Sequence, residues 1–297
     1  MTTQACFICG STAFDARTSA YRRCRVCGHE TLADVQGQGY IVNDPLSECD
    51  ARRWTRLDRF KQKVLRRFDP NPPQAAQWVD VGSASGKYLY QNRDRYTQAL
   101  GLEITPEALA FSRNVLGLEV FEDVARIPHN THVATAWHSL EHFPVDALEN
   151  VLGKLAAGMQ PGARFIVSVP NATSRQYRWF GSAFAFFDVP NHLHQFTPQS
   201  LDSLLARFGF RRIATVPSWP YNSFGYTQGL LNVLTGAHNY LYYRIKRRSL
   251  HPSLWLDMVH SVLLPVLVPI GWGLGVLDTL NLESQGVITA CYEKSHS

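Results

Sequence analysis

Four cysteines near the start of the sequence have the types and spacing to hold a metal. Cys6-Phe-Ile-Cys9 and Cys24-Arg-Val-Cys27 are two CxxC pairs with fourteen residues between them, and Gly10 and Gly28 follow the pairs. A glycine at that point permits the tight turn that aims two thiolates at one ion. The pattern predicts a structural zinc ribbon built on Cys6, Cys9, Cys24 and Cys27, closed to chemistry because no coordination position stays open. Cys49 and Cys291 have no partner spacing and read as small hydrophobes.

A second group has more to offer a reaction. The stretch Ala136-Trp137-His138-Ser139-Leu140-Glu141-His142-Phe143 sets His138, Glu141 and His142 at i, i+3 and i+4. On a helical turn they would share one face. Three readings stay open for it: a divalent metal site, a proton-moving pair, or a polar corner that fixes a loop. A third group is the run Val79-Asp80-Val81-Gly82-Ser83-Ala84-Ser85-Gly86-Lys87, with Glu103 placed 21 positions after Gly82. A glycine-bearing turn lets a ligand approach the backbone, and an acid at the next strand end can accept ribose hydroxyls. The spacing is G-x-x-x-G rather than G-x-G-x-x-G, which suits a nucleoside without a pyrophosphate.

The elements that must position these groups alternate along the chain. The 297 residues are 45% hydrophobic and 12% aromatic, the composition of a globular protein with a real core. The net charge of +5 is modest and much of it sits in Asp50–Asp69, where eight Arg and Lys outweigh three Asp. Trp54, Leu57, Phe60, Val64, Leu65 and Phe68 recur there at helical intervals, so the run reads as a basic connector helix. Beyond Pro70, Pro72 and Pro73, strands are expected at Ala76–Val81, Gln98–Glu103, Leu118–Phe121, Val133–Trp137, Arg164–Val169, Arg211–Pro217 and Val287–Glu293. Helices are expected at Lys87–Arg95, Pro106–Leu116, Val145–Ala157 and Pro198–Phe208. Such alternation predicts an α/β, Rossmann-like sheet that is mostly parallel, with ligands at the carboxyl ends of its strands. The opening ten residues lack an apolar run after basic ones, so a reducing cytoplasm is expected.

On these residues the chain resembles the class I S-adenosylmethionine-dependent methyltransferases, in the bacterial branch that carries an N-terminal zinc ribbon. The matching motifs are "VDVGSASG", the acid of "GLEI", "FEDVARIP", "WHSLEHF", "MQPGARFIVSVPN" and "DVPNHLHQFTPQSLDSLLARFGF". The resemblance implies a seven-stranded sheet and S-adenosylmethionine as cofactor. Asp80, Gly82, Ser83 and Gly86 would hold its methionine part, Glu103 its ribose, Ile104 and Asp123 its adenine, and Trp137 and His138 the sulfonium side. Asp123 also has a plainer reading as a loop-capping carboxylate. The family usually has glycine where Ala84 stands. His138, His142 and Glu141 are the candidates for taking the acceptor's proton. Relatives with an E-x-x-E-H motif further imply a second divalent metal on His138, Glu141, His142 and His192.

The expected organisation is a ribbon over 1–40, a connector over 41–73, the methyltransferase domain over 74–218 and 286–297, and an insertion over 219–285. The insertion contains Met258–Leu277, twenty residues without Asp, Glu, Lys or Arg, preceded by Arg244, Lys246, Arg247 and Arg248. It reads as a lid, a dimer face, or an element lying on the inner face of the membrane. The expected activity is methyl transfer to a small-molecule, glycan or lipid-linked acceptor. The alternatives are an RNA methyltransferase that grips its strand with the ribbon and basic helix, and a cofactor-binding module without turnover.

Overall fold

The computed structural model describes residues 5–15, 20–33, 45–246 and 253–296; Arg247 and Arg248 lie outside them. The ribbon contributes a short hairpin, β1 (Tyr21–Arg23) and β2 (Glu30–Leu32). The connector is two helices, α1 (Glu48–Arg52) and α2 (Arg56–Phe68), where the sequence periodicity predicts one. The break has a local cause. Thr55 caps α2, its hydroxyl accepting from the Asp58 amide at 3.1 Å while Asp58 accepts from the Thr55 amide at 2.8 Å. Phe60, Val64 and Leu65 bury the apolar face of α2, each contributing about 1.5–3 kcal/mol.

The sheet begins with β3 (Gln77–Val81), α3 (Lys87–Asn92), β4 (Gln98–Leu102), α4 (Pro106–Asn114), β5 (Glu119–Phe121) and β6 (Thr131–Trp137). It continues through α5 (Val145–Gly158), β7 (Met159–Pro170), α6 (Arg175–Phe180), the two-residue β8 (His194–Gln195), α7 (Pro198–Ala206) and β9 (Phe210–Thr215). The last elements are α8 (Trp219–Thr235), α9 (Tyr240–Ile245), α10 (Leu254–Leu277) and β10 (Val287–Lys294). Seven strands form one sheet in the order β5-β4-β3-β6-β7-β10-β9. The first five of these are parallel, and β10 runs antiparallel between β7 and β9. All seven expected strands are present. The expected helix over Lys87–Arg95 stops at Asn92 and tightens into a single turn over Arg93–Arg95.

Two features matter for the site. The chain order reverses between β3 and β6, which opens a crevice at their carboxyl ends. And β8 leaves the large sheet to join β1 and β2 in a second one, pairing Glu30 with Gln195 and Thr31 with His194.

Candidate active site

The turn after β3 is shaped by backbone conformation. Gly82 and Gly86 sit at φ +70° and +72°, and a Cβ on Gly82 would stand 2.4 Å from the Ser139 Cβ. Only glycine lets the turn lie this close to the chain leaving β6. Ala84 adopts the same left-handed region at φ +50°, so the methyl adds steric strain of about 1–2 kcal/mol to a conformation suited to glycine. Its amide, with those of Ile104 and Thr105, donates to the buried Glu103 carboxylate at 2.8 Å each. Three of roughly four acceptor positions on that carboxylate are thus used by backbone. Behind the turn, burial pushes Asp80 up to about 7 despite a hydrogen bond from Thr135 at 2.5 Å.

Two cavities open on either side of Gly82. The first, about 230 Å³, brings together Asp80, Gly82, Ser83, Trp137, His138, His142 and His192. The second, about 330 Å³, brings together Gly82, Glu103, Ile104, Asp123 and His142. Gly82 and His142 line both. Ile104 is 59% exposed and offers an apolar wall. Asp123 does cap a turn, accepting from the Ala125 amide at 2.9 Å, while still lining the second cavity. Gly86 lines neither cavity, and its part is in the turn itself.

The histidine cluster departs from a shared helical face. The helical turn covers only Leu140–His142, and His138 precedes it at φ +52°, a left-handed conformation uncommon outside glycine. His138 Nδ1 lies 3.4 Å from Glu141 Oε1, and its ring packs against Tyr221 at 4.7 Å between centroids. Glu141 is 0% exposed and neither carboxylate oxygen has a hydrogen-bond partner among the described residues. His142 Nδ1 lies 2.9 Å from the Asn191 carbonyl oxygen. That oxygen can only accept, so Nδ1 carries the proton and Nε2 keeps the lone pair. The rings of His142 and His192 are 4.6 Å apart. Donor atoms of Glu141, His142 and His192 fall within 4.8 Å of one another; His138 stands outside this trio, next to Glu141.

Burial sets the charge state of the cluster. It pushes His138 down to about 3 and His142 and His192 down to about 4, and it raises Glu141. The three imidazoles are neutral at neutral pH.

The ribbon reaches this cluster directly. The Cys6 and Cys27 sulfurs are 3.7 Å apart, those of Cys9 and Cys24 3.6 Å, and all four fall within 4.8 Å. Four thiolates around tetrahedral zinc at 2.3 Å would be separated by about 3.8 Å, so the residues fit the ion. The Tyr21 hydroxyl donates to the His192 carbonyl at 2.8 Å, the Leu32 amide to the Leu193 carbonyl at 2.9 Å, and the Thr197 hydroxyl to the Cys27 carbonyl at 2.9 Å. On its other side, the Leu193 amide donates to the Glu141 carbonyl at 2.8 Å. The segment carrying His192 is clamped between ribbon and active-site turn.

Some of the first cavity's walls escaped the sequence reading. Lys61 of α2 lies over the rings of Tyr88 and Trp137, at 5.5 and 5.4 Å, and Asp58 bridges Lys87 at 2.7 Å. Both sit in the basic run taken for a solvated face. Phe186, Tyr221, Phe224 and Tyr242 complete an aromatic lining, the last three supplied by α8 and α9. Helical spacing in the insertion carried no hint of which face would meet the cavity.

Comparison with known proteins bears on residues 52–215, which match the family described as "Methyltransferase domain". Among solved structures, the [4+2]-cyclase SpnF is 16% identical with a TM-score of 0.50, covering 84% of this chain and 86% of that one. The cyclopropane synthase MmaA2 from Mycobacterium tuberculosis is 11% identical with a TM-score of 0.50, covering 79% and 84%. A SAM-dependent methyltransferase from Archaeoglobus fulgidus is 15% identical with a TM-score of 0.46, covering 80% and 94%. At these identities the likeness is one of fold. No curated protein sequence matches the chain.

Proposed function

Because the chain belongs to the methyltransferase domain family and is a methyltransferase, we propose that it methylates a small-molecule acceptor, or the small end of a glycan or lipid-linked one, held in the first cavity. S-adenosylmethionine, when bound, supplies a sulfonium methyl open to in-line attack. The residues present fit that group: a turn whose Gly82 and Gly86 have no room for a Cβ, an apolar wall at Ile104, and carboxylates at Glu103 and Asp123. Glu103 holds the turn through the Ala84 amide, accepts from the amides of Ile104 and Thr105, and offers its remaining acceptor position to a sugar hydroxyl. Lys61, Tyr88, Phe186 and Tyr221 then enclose and orient the acceptor. Zinc in the four-cysteine cluster completes the reading as a structural ion.

The proton is assigned to the His138–Glu141–His142 group, with His142 Nε2 as the acceptor atom. His142 lines both cavities and is fixed by its bond to Asn191. That shared wall, where the glycine turn meets the histidine cluster, carries the proposal. Its pH consequence follows from burial. A base must be unprotonated to act, and His142 is held down at about 4. The acid limb of kcat/KM therefore falls near pH 4, and the profile is flat between pH 6 and 8. A limb near 6.5 would contradict this assignment. His142→Ala should lower kcat about 100-fold or more while calorimetry finds cofactor affinity little changed. Full turnover in that variant removes His142 from the role, and no calorimetric affinity of the intact chain for S-adenosylmethionine removes the whole reading.

A second reading of the same cluster is favoured by Glu141, a buried carboxylate with His138 Nδ1 at 3.4 Å and no hydrogen-bond partner on either oxygen among the described residues. Burying such a group without compensation is costly. A divalent cation on Glu141, His142 and His192 would offset that cost and act as a Lewis acid toward the acceptor. The donor set of two imidazoles and one carboxylate suits zinc, manganese or iron over magnesium. Metal analysis separates the two readings: one equivalent indicates the ribbon alone, two indicate both sites.

A further inference from the structure

We propose that the α8–α10 hairpin docks on a lipid bilayer and holds the first cavity beside the headgroups. The case starts from the surface of α10. Leu254 is 80% exposed, Trp255 68%, Val262 75% and Trp272 54%, and Met258, Val266, Ile270 and Leu277 are exposed as well. Only 22% of the helix's most apolar stretch is buried, which is not the state of a core helix. At about 100° per residue, the exposed apolar positions sweep roughly 200° of the circumference. The buried positions, His260, Leu267, Gly271 and Gly275, occupy roughly 80°. Those glycines seat α10 on α8, where a Cβ would meet Thr227 or Ser223 at 2.2 and 2.4 Å.

The width of the exposed arc selects the occupant. A partner packed on one side of a helix covers at most about half of its circumference, about 180°, so a second copy would leave the margins of the arc in water. A bilayer surrounds what enters it and can cover the whole arc. Trp255 and Trp272 stand near the two ends of α10, as interfacial aromatics do. Arg244 and Lys246 lie at the end of α9, on the approach to α10; Arg244 pairs with Asp257 of α10 at 3.0 Å, and this basic end of α9 is where anionic headgroups would add to the attraction. The helix has the length to cross a bilayer. A crossing is opposed by the buried Asn222, Gln228 and Asn232 of its partner α8, and by β9 and β10, which return both ends of the insertion to one sheet. The hairpin therefore lies along the surface. Tyr221, Phe224, Tyr242 and Lys246 of the same insertion line the first cavity, so a docked hairpin keeps that cavity at the membrane.

The test is co-sedimentation of the full chain with vesicles of phosphatidylcholine, alone and with phosphatidylglycerol added. The intact protein should sediment with vesicles, more strongly when phosphatidylglycerol is present. Trp255→Glu combined with Val262→Glu should weaken partitioning about tenfold or more with the thermal transition kept; Trp272→Glu alone is the milder variant should the pair fail to fold. A protein that stays in the supernatant with both vesicle types overturns the proposal. So does a concentration-dependent dimer in sedimentation equilibrium that the same substitutions abolish, since the arc then serves a second copy. The docking rests on no part of the cofactor reading, and calorimetry with S-adenosylmethionine tests that reading separately.

Discussion

The ribbon and the α8–α10 hairpin are both additions to one seven-stranded sheet, and they meet it by opposite physics. The ribbon turns inward. Its thiolate cluster is largely buried, and its backbone and hydroxyls bond the segment that carries His192. The hairpin gives its inner face to the first cavity and leaves a broad apolar face outside. Directional bonds fix a small set of atoms in place; an apolar face specifies only a medium. The ribbon is thus suited to positioning chemistry, and the hairpin to positioning the whole molecule.

Breaking the ribbon should produce the largest effect. Structural zinc sites contribute on the order of 10 kcal/mol to folding, so Cys24→Ala should lose ribbon zinc and lower the thermal transition. Turnover should fall about 100-fold as the His192 segment loses its clamp. Cofactor affinity should change much less, because the Gly82–Gly86 turn is held by Leu102 and Glu103 rather than by the ribbon. Metal analysis, calorimetry and steady-state kinetics on that variant check this together. Full turnover without zinc would uncouple the ribbon from the site.

Disturbing the hairpin's seam should cost less and leave zinc in place. In Gly275→Ala the new methyl would stand 2.4 Å from Ser223 Oγ and 2.7 Å from its amide. The overpacking should cost about 1–3 kcal/mol in denaturant unfolding, with zinc content unchanged. The smallest effect is expected in the glycine turn after β3. Ala84→Gly removes left-handed strain but loosens the unfolded chain, so the gain should stay near or below 1 kcal/mol. Cofactor affinity should rise slightly, as calorimetry would show.

Much of this organisation was legible in residue spacing. The strands, the glycine turn and both metal-capable clusters were visible because short apolar runs, glycines, cysteines and histidines mark themselves locally. The unreadable parts are those that tertiary contact decides. β8 is two residues long and pairs with a hairpin more than 160 residues earlier, so no local pattern announces it. The basic face of α2 looks solvated in sequence, yet Lys61 turns toward Trp137 because α2 packs over the crevice. A shared helical face for His138, Glu141 and His142 was one option in the spacing; the left-handed backbone at His138 sets a corner before the turn that carries the other two. Glu103 was read as a ribose acceptor, and its prior engagement with three amides depends on a turn geometry that residue identity alone does not fix.

The placement of β10 orders events in time. Among the described residues strand β9 has β10 as its sole neighbour in the sheet, and 71 residues separate the end of one from the start of the other. At ribosomal speeds that interval lasts roughly 4–14 s. Throughout it β9 waits with open edges while the oily helices between the two strands emerge. A chain made near a membrane can park those helices there before its sheet closes; one made far from it must keep them from other nascent chains.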